Sequence, residues 1–493
     1  MTAAVDIPRI VIAAASSGAG KTTATVGLCR ALRARGLEVA VFKCGPDYLD
    51  PTYHERAAGR PIHNLDGWMM GRGAAVATFV RASAGADIAI IEGVMGLFDG
   101  ASPTGEEGST AEMAKWLGAP VILVVDASGM ARSLAALVGG FAAFDRDLRV
   151  AGVICNRIGS GAHLDLLRKA QRTPPIVGGI AKSPSLAFPE RHLGLRTADR
   201  ETVPDTLLDA WGAAVAEGVD FDAVLAIARA APALTWEGEG GGPHPSPSQT
   251  LPRRAPAGEA RLRPTRLAAP DAEAAPKKSP QRCRIGLAFD EAFHFYYEHN
   301  LRVLESLGAQ IVRFSPLVDR TLPEIDGLYL GGGYPEVHAR ALSANADMRE
   351  AIAGFAAAGR PIYAECGGLM YLSRAIRTRN GSTHPMVGVL PGEAVMSERL
   401  EALGYVEVET QTPTPLGPAG LRFRGHQFRY SRLEGAETAV GAYTIRRRRG
   451  GEAATEGYRV GSVLGSYVHA HWASNLLVPE GFIARCASHE RGR

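Results

Sequence analysis

Ala15-Ser16-Ser17-Gly18-Ala19-Gly20-Lys21-Thr22-Thr23 stands between an apolar run, Ile10-Val11-Ile12-Ala13-Ala14, and a segment from Ala24 to Arg35 with apolar residues at helical spacing. The run predicts a buried parallel strand. Strand, glycine-rich turn, Lys-Thr and helix, in that order, is the context of a P-loop. Small residues let backbone N–H groups close around a phosphate chain, and the N-terminus of the following helix adds partial positive charge. Ser17, Gly18, Gly20, Lys21, Thr22 and Thr23 are therefore candidate nucleotide contacts, with Lys21 reaching the β- and γ-phosphates and the Thr22 hydroxyl placed for Mg²⁺. One position departs from G-x-x-x-x-G-K-[ST]: Ala15 stands where the first glycine is usual.

The strands that follow carry charge at their tips. Glu38 to Lys43 reads as a second strand, broken by Gly45 and Pro46, so that Asp47 and Asp50 fall on a loop at its C-terminal end. In open α/β sheets ligands bind along that edge. Asp47 and Asp50 could hold a metal or orient a substrate; a turn acid capping its own backbone is the plainer reading. Asp87 to Glu92 is a third strand with an acid at its tip. A carboxylate there is costly unless exposed or paired, which marks Glu92 as a second metal-side ligand across from Thr22. Pro120–Asp126, Val150–Cys155 and Ile176–Ile180 continue the series. Asn156 follows one of them and could present donor and acceptor to an adenine edge, or simply form a turn.

At 493 residues the chain exceeds what one core supports, so two or three domains are expected. A net charge of +3 without a lysine-rich face leaves no footprint for nucleic acid. The six cysteines fall at neither metal nor disulfide-framework spacing, which points to a reducing, cytoplasmic compartment. Ile10 to Ala15 is too short for a signal core, and no apolar stretch reaches bilayer length, so no membrane association is expected.

From Glu237 to Pro280 Pro, Gly, Ser and Ala dominate, the composition of a disordered linker. The expected organisation is α/β: two doubly wound domains with mainly parallel sheets, 1–236 and 281–493, joined by that linker. In the second half Arg284–Phe289 starts a new strand, Asp290 to Leu307 carries apolar residues at mostly helical spacing, and Gly327–Leu330 runs into Gly331-Gly332-Gly333. This glycine loop lacks Lys-Thr, so its backbone N–H groups suit an oxyanion rather than a phosphate. An apolar strand then delivers Cys366 into Gly367-Gly368, a nucleophile-elbow pattern with Cys in place of Ser. The following helix is expected to lower the thiol pKa. Such a nucleophile needs a base. His469 is the best candidate and His471 a second, since period-two alternation places both on one face.

These residues carry a resemblance. The second half resembles the class I, triad-type glutamine amidotransferases, and the first half the dethiobiotin-synthetase group of P-loop enzymes. The fusion, with Gly45–Pro51, Glu92–Gly100, Phe295–Tyr297, Gly331–Glu336, Glu365–Leu369 and Gly425–Phe428, resembles the cobyrinate and hydrogenobyrinate a,c-diamide synthase family over nearly the whole chain except the linker. That resemblance implies a ligase that takes ATP, Mg²⁺ and glutamine as ammonia source and amidates a corrin-type polycarboxylate. It implies Cys366 as nucleophile, His469 as base, and Gly332, Gly333 and Gly367 around the oxyanion. It further implies ATP on the P-loop, Mg²⁺ on Thr22, Glu92 and Asp47, and Lys43, Asp47 and His426 near the substrate. The family usually has Glu two residues after the base; His471 stands there. A homodimer is compatible with all of this. Other readings are a related amidoligase of the cobyric acid or nickel sirohydrochlorin type, a ParA/MinD-like switch ATPase carrying an inactive glutaminase-like module, and a bare Cys hydrolase, which leaves the P-loop unexplained.

Overall fold

The computed structural model describes residues 2–183, 186, 190–191, 194–195, 203–237, 282–448 and 450–488. Of the expected linker, Glu237 ends a strand and 238–280 lies outside the described residues.

The first domain alternates strand and helix: β1 (Thr2–Val5), β2 (Arg9–Ala14), α1 (Lys21–Ala34), β3 (Val39–Cys44), α2 (Asp50–Ala58), β4 (His63–Leu65), α3 (Gly67–Ala82), β5 (Ile88–Glu92), α4 (Thr110–Leu117), β6 (Val121–Asp126), α5 (Ser133–Phe144), β7 (Val150–Ile158), α6 (Gly161–Ala170) and β8 (Ile176–Ala181). Seven strands form a parallel sheet in the order β4-β3-β5-β2-β6-β7-β8. β2, β3 and β5 are buried at every position because helices cover both faces, which is why they read as unbroken apolar runs. Ile10, Ile12 and Val124 pack on one face and Val11, Ala13 and Leu123 on the other. Each of the Ile, Val and Leu side chains contributes about 1.5–3 kcal/mol of burial. After the short ladder of β9 (Glu190–Arg191) and β10 (Gly194–Leu195) come α7 (Asp205–Gly218), α8 (Phe221–Arg229) and β11 (Leu234–Glu237). β11 pairs antiparallel with β1.

The second domain runs β12 (Cys283–Ala288), α9 (Glu298–Ser306), β13 (Ala309–Phe314), β14 (Gly327–Leu330), α10 (Ala339–Ala344), α11 (Ala346–Ala357), β15 (Ile362–Glu365), α12 (Gly367–Leu372), β16 (Ala375–Arg377), β17 (Thr383–Pro385), β18 (Glu393–Met396), β19 (Ala402–Thr410), β20 (Arg422–Arg429), β21 (Ser431–Glu434), β22 (Val440–Arg447), β23 (Ala454–Val460), β24 (Val463–Ser466), β25 (His469–His471) and α13 (Leu477–Ser488). Its ten-stranded sheet is ordered β13-β12-β14-β15-β24-β23-β22-β19-β20-β25. The first five strands are parallel, and the sheet then continues antiparallel. The α/β reading with two domains holds.

The helix expected over Asp290–Leu307 forms only as α9. Upstream, Asp290 Oδ1 accepts the amides of Ala292 and Phe293, and the Gly332 carbonyl accepts those of His294 and Phe295. These amides are committed before a helical ladder can use them.

The two domains meet along the edges that carry the chemistry. Tyr405 donates its hydroxyl to Asp66 (2.7 Å), and Arg424 donates to the Trp68 carbonyl (2.8 Å) with its guanidinium over the Trp68 ring. Thr78 Oγ1 and His299 Nδ1 are 3.2 Å apart, and Arg448 pairs with Glu107.

Candidate active sites

β2 ends at Ala14 and α1 starts at Lys21, so the loop between them opens at the C-terminal edge of the sheet. Gly18 and Gly20 hold φ of 77° and 99°, a region that favours glycine. A Cβ on Gly20 would also run into the Asn156 amide. The positive-φ residues other than glycine are Met95, Arg157 and Cys366 among the described residues. Ala15 is not one of them, which explains why alanine is tolerated at the departing position. Ser17 is exposed on the loop, and Thr23 is half-buried in the first turn of α1.

Asn156 and Arg157, at the end of β7, hold the loop from behind. Asn156 Nδ2 donates to the Ala19 carbonyl (2.9 Å) and Arg157 to the Gly18 carbonyl (3.0 Å). The Asn156 amide nitrogen is thus engaged with the P-loop itself. Lys21 Nζ donates to the Met95 carbonyl (2.5 Å). Burial, then Lys43, lowers the Lys21 pKa. A phosphate at the loop would offset that penalty.

β3 and β5 are neighbours with Lys43 opposite Glu92 in register. Lys43 Nζ reaches Glu92 Oε1 (2.7 Å) and Asp50 Oδ2 (2.5 Å). Thr22 Oγ1 donates to Glu92 (2.9 Å) and lies 3.3 Å from Asp50. His54 Nε2 is 2.6 Å from Glu92 Oε2. Burial works against the Lys43 charge, but Glu92 and Asp50 outweigh it and raise its pKa well above the usual value. Burial likewise opposes Glu92 ionisation, yet Lys43 and His54 hold its pKa well below the usual range. Asp50 is pushed up by burial and by Asp47. Asp47 stands further out, 3.8 Å from Lys43, and its Oδ1 accepts the amides of Leu49 (2.8 Å) and Asp50 (3.2 Å). It shapes the turn that aims Asp50 inward.

No group of three or more His, Cys, Asp or Glu is arranged to hold a metal among the described residues. The donors gathered here are one hydroxyl and two carboxylates, all hard oxygens. Mg²⁺ takes few protein ligands of this kind and completes its shell with water and phosphate oxygens, so the residues present fit it.

In the second domain β15 and β24 are adjacent parallel strands with Glu365 opposite Ser466. Cys366 follows the first, and His469 lies just beyond the second. Both emerge at one sheet edge. Cys366 has φ 46°, the strained turn of a nucleophile elbow. Glycines crowd around it by necessity. A Cβ on Gly367 would lie 3.0 Å from the Gly333 nitrogen, and one on Gly332 would lie 2.5 Å from His469 Cε1. The Gly331 amide donates to Tyr296 Oη (2.7 Å), so the Gly332–Gly333 part of the loop packs between the elbow and the His469 ring.

The thiol differs from expectation. Burial, with Glu336 adding, pushes Cys366 up to about 12. α12 has six residues, and its N-terminus does not overcome the loss of water. Cys366 Sγ lies 4.0 Å from the Phe428 carbonyl and makes no hydrogen bond to His469. Burial lowers His469 to about 3, so its imidazole is neutral and can accept a proton. His469 is the register partner of His426, and their rings stack at 4.9 Å. His471 packs on Tyr297 and His299 without a hydrogen bond from either ring nitrogen. Glu365 instead fastens the segment: it accepts from Tyr329 (2.9 Å), Tyr363 (2.7 Å) and the Ala470 amide (3.0 Å), and burial raises it to about 7.

The structure therefore gathers Lys21, Thr22, Lys43 and Glu92 at one edge, with Asp47 on its rim, and Cys366, Gly367, Gly332, Gly333 and His469 at another. His426 belongs to the second group, bonded to Tyr297 Oη (2.9 Å). Sequence reasoning missed His54. Its signal is the spacing Asp50…His54, one turn apart on α2.

A P-loop domain facing a cysteine elbow across a shared interface defines a nucleotide-binding domain fused to a glutamine amidotransferase domain. Comparison with known proteins agrees: residues 10–195 match the CobQ/CobB/MinD/ParA nucleotide binding domain, and 284–476 the CobB/CobQ-like glutamine amidotransferase domain. The chain is 47% identical to the cobyrinate a,c-diamide synthase of Leptospira interrogans serovar copenhageni, over 98% of this chain and 99% of that one. It is 48% identical to that of Syntrophotalea carbinolica (97% and 98% covered) and 42% to the hydrogenobyrinate a,c-diamide synthase of Streptomyces coelicolor (97% and 98%). The chain belongs to the cobyrinate/hydrogenobyrinate a,c-diamide synthase family. No helix is long and apolar enough to cross a membrane among the described residues.

Proposed function

We propose that this chain amidates the a and c carboxylates of cobyrinate or hydrogenobyrinate, using ATP and glutamine. The observation that carries this reading is the pairing of a P-loop bearing a Lys43–Asp50–Glu92 cluster with a strained Cys366 elbow on facing edges. In the glutaminase half Cys366 Sγ attacks the glutamine amide carbon. His469 takes the thiol proton and returns it to the departing nitrogen. Ammonia leaves, and water hydrolyses the resulting thioester to glutamate. The amides of Gly367 and of the Gly332–Gly333 loop face the oxyanion.

In the other half a substrate carboxylate takes the γ-phosphoryl of ATP, giving an acyl phosphate and ADP. Ammonia then displaces phosphate to form the amide. The P-loop and Lys21 hold the phosphates, and Lys43 balances the carboxylates at the same edge. Mg²⁺ on Thr22, Glu92 and Asp50, with Asp47 at the rim, would neutralise charge on the transferred group.

The test is mass spectrometry of each macrocycle after incubation with MgATP and glutamine. We expect a gain of two amides on one of them. Cys366→Ala loses this with glutamine and regains it with ammonium. No amidation of either macrocycle, with ATP turnover intact, would overturn the substrate.

A further inference from the structure

The loop from Gly45 to Leu49 touches both reaction centres. Asn64 Nδ2 pins it through the carbonyls of Gly45 (2.9 Å) and Asp47 (2.7 Å). At one end Asp50 contacts Lys43 and Thr22. Two residues earlier, at most about 7 Å along the chain, Tyr48 crosses into the other domain. Its ring stacks on Phe295 (5.0 Å, 7°) and packs against Tyr297 (4.7 Å), His426 (5.7 Å) and His469 (5.2 Å). One side chain thus packs on the proposed glutaminase base while its backbone stands two residues from the carboxylate at the phosphate edge.

We propose that Tyr48 is the door of the ammonia passage: the ammonia released at Cys366 reaches the Lys43–Asp50–Glu92 edge beside this ring, and the ring keeps bulk solvent out. This rests on the function proposed above. The lining suits a neutral guest. Phe295, Tyr297 and Tyr48 are aromatic, and the stacked His426 and His469 are held uncharged by burial. The rings themselves carry no charge and offer only weak hydrogen bonds, which suits NH₃ better than ammonium. The loop is also where the door is commanded. Asp47 orders the turn that carries Asp50, so a change at the phosphate edge reaches Tyr48 through two peptide units.

The test supplies ¹⁵N-amide glutamine, MgATP and the macrocycle to the whole chain in the presence of excess unlabelled ammonium. The readouts are the ¹⁵N fraction of the product amide and the glutamate formed per amide. The wild-type product keeps its label. Tyr48→Ala drops it to the fraction set by the bulk pool and forms more glutamate per amide. Tyr48→Phe, which keeps the ring, behaves as wild type. Tyr48→Leu serves should the alanine variant not fold. Bulk-level dilution in the wild type overturns the door, as does full labelling in the ring-less variants. A wild type unable to amidate even from ammonium overturns the proposed function and, with it, this inference; Tyr48→Ala and Tyr48→Leu variants that still amidate from ammonium but keep the wild-type label fraction overturn the door alone.

Discussion

Lys43 sets the charge balance of the phosphate edge: one ammonium faces Glu92 and Asp50, with Asp47 beyond. Asp50→Asn removes a carboxylate that touches both Lys43 and Thr22 and should lower ammonium-supported turnover by about a hundredfold, equivalent to about 2.7 kcal/mol. Asp47→Asn should cost far less, because an Asn oxygen still accepts the Leu49 and Asp50 amides. Comparing kcat of the two variants checks the ranking. The sequence made Glu92 legible because a carboxylate ending an apolar strand needs a reason; Lys43 came only through the family resemblance. The resemblance placed the metal on Asp47, whereas it is Asp50 that reaches Lys43 and Thr22; the sequence alone could not show this, since it depends on where α2 begins. Pro51 in the first turn places Asp50 at the helix start, and only then does His54 fall beneath it.

At the scale of elements, parallel pairings were legible and long-range register was not. The elbow of Cys366 followed from strand, glycines and helix. That His426 stands opposite His469 depends on β20 pairing with β25 at the far edge of a sheet whose antiparallel half shows only weak alternation. The run 446–449 reads as an exposed hairpin; β22 and β23 form that hairpin, and Arg448 within it also reaches Glu107 in the other domain. Register also explains the glycine loop. A methyl at Gly332 would meet His469 Cε1 at 2.5 Å, closer than carbon atoms pack. Gly332→Ala should displace the imidazole and abolish glutamine-supported amidation while leaving ammonium-supported amidation largely intact. Parallel assays with the two nitrogen sources decide it; equal losses would refute it.

Across the whole molecule, neutral histidines are buried where the domains meet. Burial lowers His63 to about 3, His299 to about 4 and His469 to about 3, against 6.5 in the unfolded chain. Between these values the unfolded state binds more protons. Stability is therefore complete above about pH 6.5 and falls as pH drops toward 3, by on the order of 2 kcal/mol per histidine at pH 5. The denaturant midpoint should decline steadily from pH 7 to 5; a flat profile would contradict the burial of these rings.

The order of the strands has a consequence for a chain still being made. Cys366 leaves the ribosome with β15, but its base arrives only with β24 and β25, which insert beside β15 and close onto β20. During that interval a newly made chain carries the proposed nucleophile without its proposed proton acceptor, so glutamine hydrolysis is expected to begin only once the sheet is finished.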